Sequence, residues 1–108
     1  MNNTLPKFID SFSELVALPS VSSIDPRFDQ SNRAVVELLA NWLYPLGFKV
    51  ELIPVSQNPE KLNLVACAGS GEGGLVLSGH TDTVPYCETA WDQDPFKLIE
   101  RDGKLYGL

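Results

Sequence analysis

Leu75-Val76-Leu77-Ser78-Gly79-His80-Thr81-Asp82-Thr83-Val84-Pro85 is the stretch on which the fold turns. Its apolar run, entered from a glycine-rich segment, reads as a short buried strand from Gly74 to Ser78. That strand ends two residues before His80, the chain's one histidine. Open α/β sheets gather their ligands outside the ends of strands, so the position favours function. An imidazole nitrogen is a good zinc ligand. A carboxylate two residues on, Asp82, can take the proton of the other ring nitrogen and fix tautomer and orientation. Gly79 leaves room beside the ring and Pro85 stiffens the exit. His-x-Asp also occurs by chance in surface loops, so the residues alone leave a metal ligand and a solvated loop both open.

Upstream, Gly69-Ser70-Gly71-Glu72-Gly73-Gly74 formally satisfies G-x-G-x-x-G. A dinucleotide site needs a helix to open at the last glycine, whereas Leu75-Val76-Leu77 continues as a strand, so the run is expected to be a hairpin connection. Its other arm is a strand from Leu62 to Ala68. Before that, Phe48, Val50, Leu52 and Val55 have the period of a strand with one face inward. Ala34, Val35, Leu38, Leu39, Trp42, Leu43 and Leu46 form the stripe of a helix capped by Asp29 or Ser31, with Gly47 left-handed after its end. Pro19 to Phe28 reads as a surface loop. A first helix runs from Leu5 through Val16, capped by Thr4 and stopped by Pro19.

Downstream, Phe96 to Glu100 and Lys104 to Leu108 flank Arg101-Asp102-Gly103, and Asp-Gly is a strong hairpin signal. The order predicts the α/β class: a mixed β-sheet flanked by helices. Residues 1–108 read as one unit whose last apolar strand runs to Leu108 without cap or polar tail. This predicts a truncated domain and self-association through Leu105 to Leu108.

Fourteen acidic against eight basic residues give a net charge of -6, the wrong sign for neutralising phosphates, which argues against nucleic acid. No window approaches the length of an uncharged membrane span, and Asp10, Ser11, Ser13 and Glu14 break the first apolar stretch, so no membrane role or signal peptide is expected. Cys67 and Cys87 lie apart without a C-x-x-C pattern, which fits a reducing, cytoplasmic setting. Cys87 is a candidate metal contact, though a lone cysteine in a loop is usually only a small side chain. Trp91 and Phe96 are expected to pin their loop to the sheet. Tyr86, Glu88, Asp92 and Asp94 form an acidic neighbourhood that reads as a solvated face or an outer shell of the site.

The run Ser78 to Pro85 resembles the first metal-site motif of the dinuclear zinc hydrolases. That family includes acetylornithine deacetylases, succinyl-diaminopimelate desuccinylases, aminoacylases and glutamate-releasing carboxypeptidases. The resemblance extends through Ala17-Leu18-Pro19-Ser20-Val21-Ser22, Leu46-Gly47-Phe48, Asn63-Leu64-Val65-Ala66, Trp91 to Phe96 and Asp102-Gly103-Lys104-Leu105-Tyr106-Gly107. Thr83, Asp94-Pro95-Phe96, Asp29-Gln30-Ser31-Asn32 and Leu108 look most like the deacetylase branch.

The resemblance implies that residues 1–108 are the N-terminal part of a zinc-peptidase-like catalytic domain. It implies that His80 ligates one of two zinc ions, with cobalt as an alternative metal. It makes Asp82 a catalytic residue that holds His80 from behind without touching metal. The remaining ligands, the general base and a dimerisation domain would lie beyond residue 108, so the chain alone is expected to be inactive. The implied substrate is an N-acyl amino acid, N2-acetyl-L-ornithine, cleaved to ornithine and acetate in arginine biosynthesis by a cytoplasmic homodimer. Two readings compete. One is a desuccinylase or aminoacylase substrate, and the other is a non-catalytic module that pairs through an exposed strand edge.

Overall fold

Helix α1, Phe8–Val16, opens a computed structural model that describes residues 7–108. Its expected first turn, with Thr4 as cap, lies outside the described residues. The helix closes at Ala17, ahead of Pro19, whose ring disfavours helical backbone in the residue before it.

Helix α2, Arg33–Leu43, buries Val35 and Val36 and passes through a short 3-10 turn, Tyr44–Leu46, to Gly47 at φ 93°. Neither expected cap acts as such. Asn32 occupies the N-cap position and makes no capping bond, because its amide is used elsewhere. Its Oδ1 accepts the Leu62 N–H at 2.8 Å, and its Nδ2 donates to the Leu62 carbonyl at 2.9 Å. The side chain thus satisfies both backbone groups of a residue only 3 % exposed. Ser31 accepts the Arg33 N–H at 3.1 Å, and Asp29 turns toward Ser23 and Lys61.

Strands β1, Lys49–Gln57, and β2, Glu60–Cys67, form an antiparallel hairpin in register from Lys49–Cys67 to Gln57–Glu60. Along β2 the period-two pattern holds, with Leu62 buried, Leu64 and Ala66 half-buried, and Asn63, Val65 and Cys67 outward. Along β1 only Val50 and Ser56 are half-buried, and the expected inward face fails from Leu52 onward. The register slips between Pro54 and Ser56, so Val55 has no opposite residue and is 59 % exposed instead of facing inward. Pro54 lacks the N–H that a regular ladder needs. The core lies where α2 crosses β2: Val35, Val36 and Leu62, with Leu15, Leu18 and Leu64 packed on it.

The segment predicted as a strand from Gly74 to Ser78 forms no ladder. Leu75, Val76 and Leu77 are 84 %, 87 % and 87 % exposed. The partner of β2 is β1, so the glycine run is not the turn of a β2 hairpin. The apolar triplet was a sound strand signal, but a strand exists only when another strand meets its amides, and none does among the described residues.

The last elements are β3, Ile99–Arg101, and β4, Lys104–Tyr106, each shorter than expected. They pair around Asp102 at φ 53° and Gly103 at φ 71°, the two left-handed residues a tight two-residue hairpin requires. Beyond them the Leu108 N–H donates to the Pro95 carbonyl at 2.8 Å. Gly107 lies so close to α1 that a Cβ there would meet Val16 Cγ1 at 2.9 Å. The terminal residues are therefore tucked against α1 instead of running free.

The α/β class stands, built among the described residues as two helices and two antiparallel hairpins, with one parallel contact, the bridge Val21–Thr83. The chain exposes 8280 Å², against about 6,000 Å² for a folded monomer of its mass. Its radius of gyration is 15.9 Å, where about 13 Å is usual for this length. An open cleft of about 830 Å³ lies beside the core.

Candidate metal site

Along residues 80–83, which end in the bridge at Thr83, burial alternates with period two. Thr81 and Thr83 are half-buried, while His80 and Asp82 face solvent with side chains 83 % and 61 % exposed. His80 Nδ1 lies 3.0 Å from Asp82 Oδ1 and 3.1 Å from the Asp82 carbonyl oxygen. Both oxygens are acceptors, so Nδ1 carries the proton and donates. Nε2 then presents its lone pair and meets no protein group among the described residues. That is the tautomer a metal-binding imidazole with a carboxylate behind it requires. His80 and Asp82 stand together as expected from the sequence, both on the wall of the 830 Å³ cleft, which Leu62, Asn63 and Leu64 of β2 also line.

What holds this loop is not the strand anticipated before it. The Ser20 hydroxyl donates to the Thr81 carbonyl at 2.5 Å, the Thr83 N–H donates to the Ser20 carbonyl at 3.1 Å, and the Ser22 N–H donates to the Thr83 carbonyl at 2.9 Å. The Ser20–Ser22 segment is held in turn by Gln30, whose Oε1 accepts the Val21 N–H at 3.0 Å and whose own N–H donates to the Val21 carbonyl at 2.8 Å. Asp29 accepts the Ser23 N–H at 3.0 Å and pairs with Lys61 of β2 at 2.9 Å. The hydrogen bond from Lys61, with that from Ser23, holds the Asp29 carboxyl below its ordinary 3.8. Ser20, Gln30 and Asp29 are the supporting residues that sequence reasoning missed. The mixed Ser, Pro and Asp content of residues 19–28 carries no period that would reveal Ser20, and Asp29 and Gln30 follow directly without one. Thr83 Oγ1 is buried and finds no hydrogen-bond partner among the described residues.

The remaining candidates fall elsewhere. Cys87 is exposed and its Sγ contacts Thr89 Oγ1 at 3.1 Å. That bond, with the N–H groups of Thr89 and Ala90, lowers the thiol's pKa. Phe96 packs edge-on against Tyr86 at 5.3 Å between ring centres, so it ties the loop to itself and not to the sheet as expected. Trp91, Glu88, Asp92 and Asp94 border a separate hollow of about 410 Å³ that does not include His80.

Among the described residues no three His, Cys, Asp or Glu side chains gather closely enough to hold a metal. A zinc ion takes three or four protein ligands. The chain therefore fits zinc as the donor of one imidazole, oriented by one carboxylate, and not as a whole cage. Fold and loop together present one imidazole and one carboxylate on the wall of an open α/β cleft.

No family model matches the chain. Acetylornithine deacetylase of Pasteurella multocida is 60 % identical over 104 residues, which cover 96 % of this chain and 27 % of that protein. The acetylornithine deacetylases of Proteus mirabilis and Photorhabdus laumondii are 56 % and 54 % identical over all 108 residues, 28 % of each. The chain thus spans little more than a quarter of the length of the curated relatives it matches, and by sequence it belongs to the acetylornithine deacetylase family.

Proposed function

We propose that this chain contributes a metal-binding histidine and its orienting carboxylate to a metal-dependent deacetylase. The enzyme cleaves N2-acetyl-L-ornithine to L-ornithine and acetate in arginine biosynthesis. The observation that carries the reading is the His80–Asp82 pair with Nε2 free, in a sequence 51 % to 60 % identical to proteins named acetylornithine deacetylase. Residues 1–108 are the N-terminal part of the catalytic domain, and the whole protein is a cytoplasmic homodimer that uses zinc, with cobalt as a substitute.

His80 donates its Nε2 lone pair, and Asp82 keeps the proton on Nδ1 and the ring in one orientation. A bound zinc ion supplies polarisation of the amide carbonyl and acidification of water. The general base and the other ligands come from outside these residues, so the chain by itself turns over no substrate.

The test has two arms. In the first, Zn²⁺ is titrated into the 108-residue chain while the ring nitrogens of His80 are followed by ¹⁵N NMR. The expected response is at Nε2 alone, and a response at Nδ1, or at neither nitrogen, would sink the ligand assignment. In the second, the longest reading frame that carries these residues is assayed with N2-acetylornithine, N-succinyl-diaminopimelate and other acyl amino acids. Acetylornithine should be preferred and His80→Ala should abolish turnover. Preference for the succinyl substrate would move the protein to the desuccinylase branch.

A further inference from the structure

Ser20 is the one polar residue buried among the described residues, 3 % exposed, and its hydroxyl is spent on the carbonyl of Thr81, between His80 and Asp82. The backbone on either side of Ser20 and Thr83 continues the grip as a single parallel bridge. The stretch that leads into His80 makes no ladder, so this bridge is the contact that joins the loop to the β2 side of the molecule, through Gln30, Asp29 and Lys61.

We propose that the Ser20–Ser22 segment is a clamp that sets the orientation of the His80–Asp82 pair, with Ser20 as its positioning residue. The argument is geometric. Along extended backbone, alternate residues face opposite ways. Fixing the backbone of Thr81 and Thr83 on the clamp side obliges His80 and Asp82 to share the other side, where the ring and carboxylate meet at 3.0 Å. A carbonyl held by a buried hydroxyl cannot rotate without leaving that hydroxyl unpaired, which is costly in the interior. The peptide between the two functional residues is thereby locked, and with it the angle at which Nε2 is presented. A ligand at a strand end would be held by a ladder; here one serine and one bridge do that work. The purpose of the clamp rests on the metal-hydrolase reading, but the clamp can be tested without metal or substrate.

The experiment uses the metal-free 108-residue chain and two readouts: amide hydrogen exchange at Thr83 and Ser22, and the His80 ring tautomer from ¹⁵N shifts with the imidazole neutral. Ser20→Ala should speed exchange at both amides by roughly tenfold, as expected for losing a buried hydrogen bond. It should also move the ring away from the Nδ1–H form, while exchange in the β1–β2 ladder stays unchanged. Ser20→Thr, which keeps the hydroxyl, should restore both readouts. Val36→Ala, a core truncation away from the loop, should lower global stability without changing the tautomer. Should Ser20→Ala not fold, Ser20→Cys carries the test with a weaker donor of similar volume, and intermediate values are expected. Unchanged exchange and tautomer in Ser20→Ala, or equal changes in Val36→Ala, would overturn the clamp. If instead the clamp behaves as stated and Zn²⁺ leaves Nε2 untouched, the positioning role stands and the metal reading fails.

Discussion

Leu62-Asn63-Leu64-Val65 and Leu75-Val76-Leu77 are nearly the same word in sequence and opposite in fate. The first lies in β2, where β1 takes one edge, the Asn32 amide takes both backbone groups of Leu62, and α2 covers the inward face. The second lies in solvent, with no strand paired to it among the described residues. The contrast teaches that apolar content decides what a segment can bury, while the available partners decide whether it does. A folded half and an open half then share one site, because the clamp at Ser20 bridges them.

The largest effect is expected where partners are complete. Leu62→Ala removes a side chain 3 % exposed at the meeting point of α2 and β2 and should lower stability by about 3 kcal/mol. Urea melts followed by circular dichroism would show it, and a loss below about 1 kcal/mol would mean that this core is not what holds the chain together. Asn32→Ala is expected next. It strands the N–H and carbonyl of a buried leucine, and losing two such bonds should lower stability by about 2 kcal/mol in the same melts. Asn32→Asp should do nearly as much harm, since a carboxylate cannot donate to the Leu62 carbonyl.

Legibility in the sequence follows the same division. Period and punctuation found both helices, the β2 face, the left-handed Gly47 and the Asp102–Gly103 turn, because each is decided by residues near one another. The His80–Asp82 contact was legible for the same reason, two residues being a local distance. What escaped was set by distant partners. Asn32 and Leu62 are thirty residues apart and Ser20 and Thr81 sixty-one, so no local pattern announces either bond. The strand expected at Gly74 to Ser78 failed in the converse way, with the right composition and no strand beside it.

Acid should weaken the folded half through its carboxylates. Hydrogen bonds from Lys61 and Arg33 hold Asp29 and Glu60 below their ordinary values of 3.8 and 4.5. A carboxyl whose folded value is depressed stabilises the fold above its unfolded value, and that contribution is lost as pH falls through the folded value. Stability should therefore be level near neutrality and decline from just above pH 4 downward. In Asp29→Asn the decline should be shallower, since one of the acid-sensitive groups is gone. An unchanged acid profile in that variant would show that the Lys61 pair adds nothing in solution. The effect should be smaller than those of Leu62 and Asn32, because these pairs remain within reach of water.

The smallest effect belongs to the open half, and it is the sharpest check on the comparison. Val76 is 87 % exposed with no strand on either side among the described residues, so Val76→Thr exchanges an apolar group for a polar one of the same shape where little is buried. The change in stability should stay within about 0.5 kcal/mol, against the much larger loss at Leu62. Monomeric chain at low concentration is the right sample, since an unpaired apolar segment offers its amides and carbonyls to any second strand. If Val76→Thr instead cost more than about 1 kcal/mol, the segment would be packed in solution, and the two apolar words would share one fate after all. His80 would then be presented by a paired strand as well as by the clamp, and Ser20 would lose its place as the main support of the site.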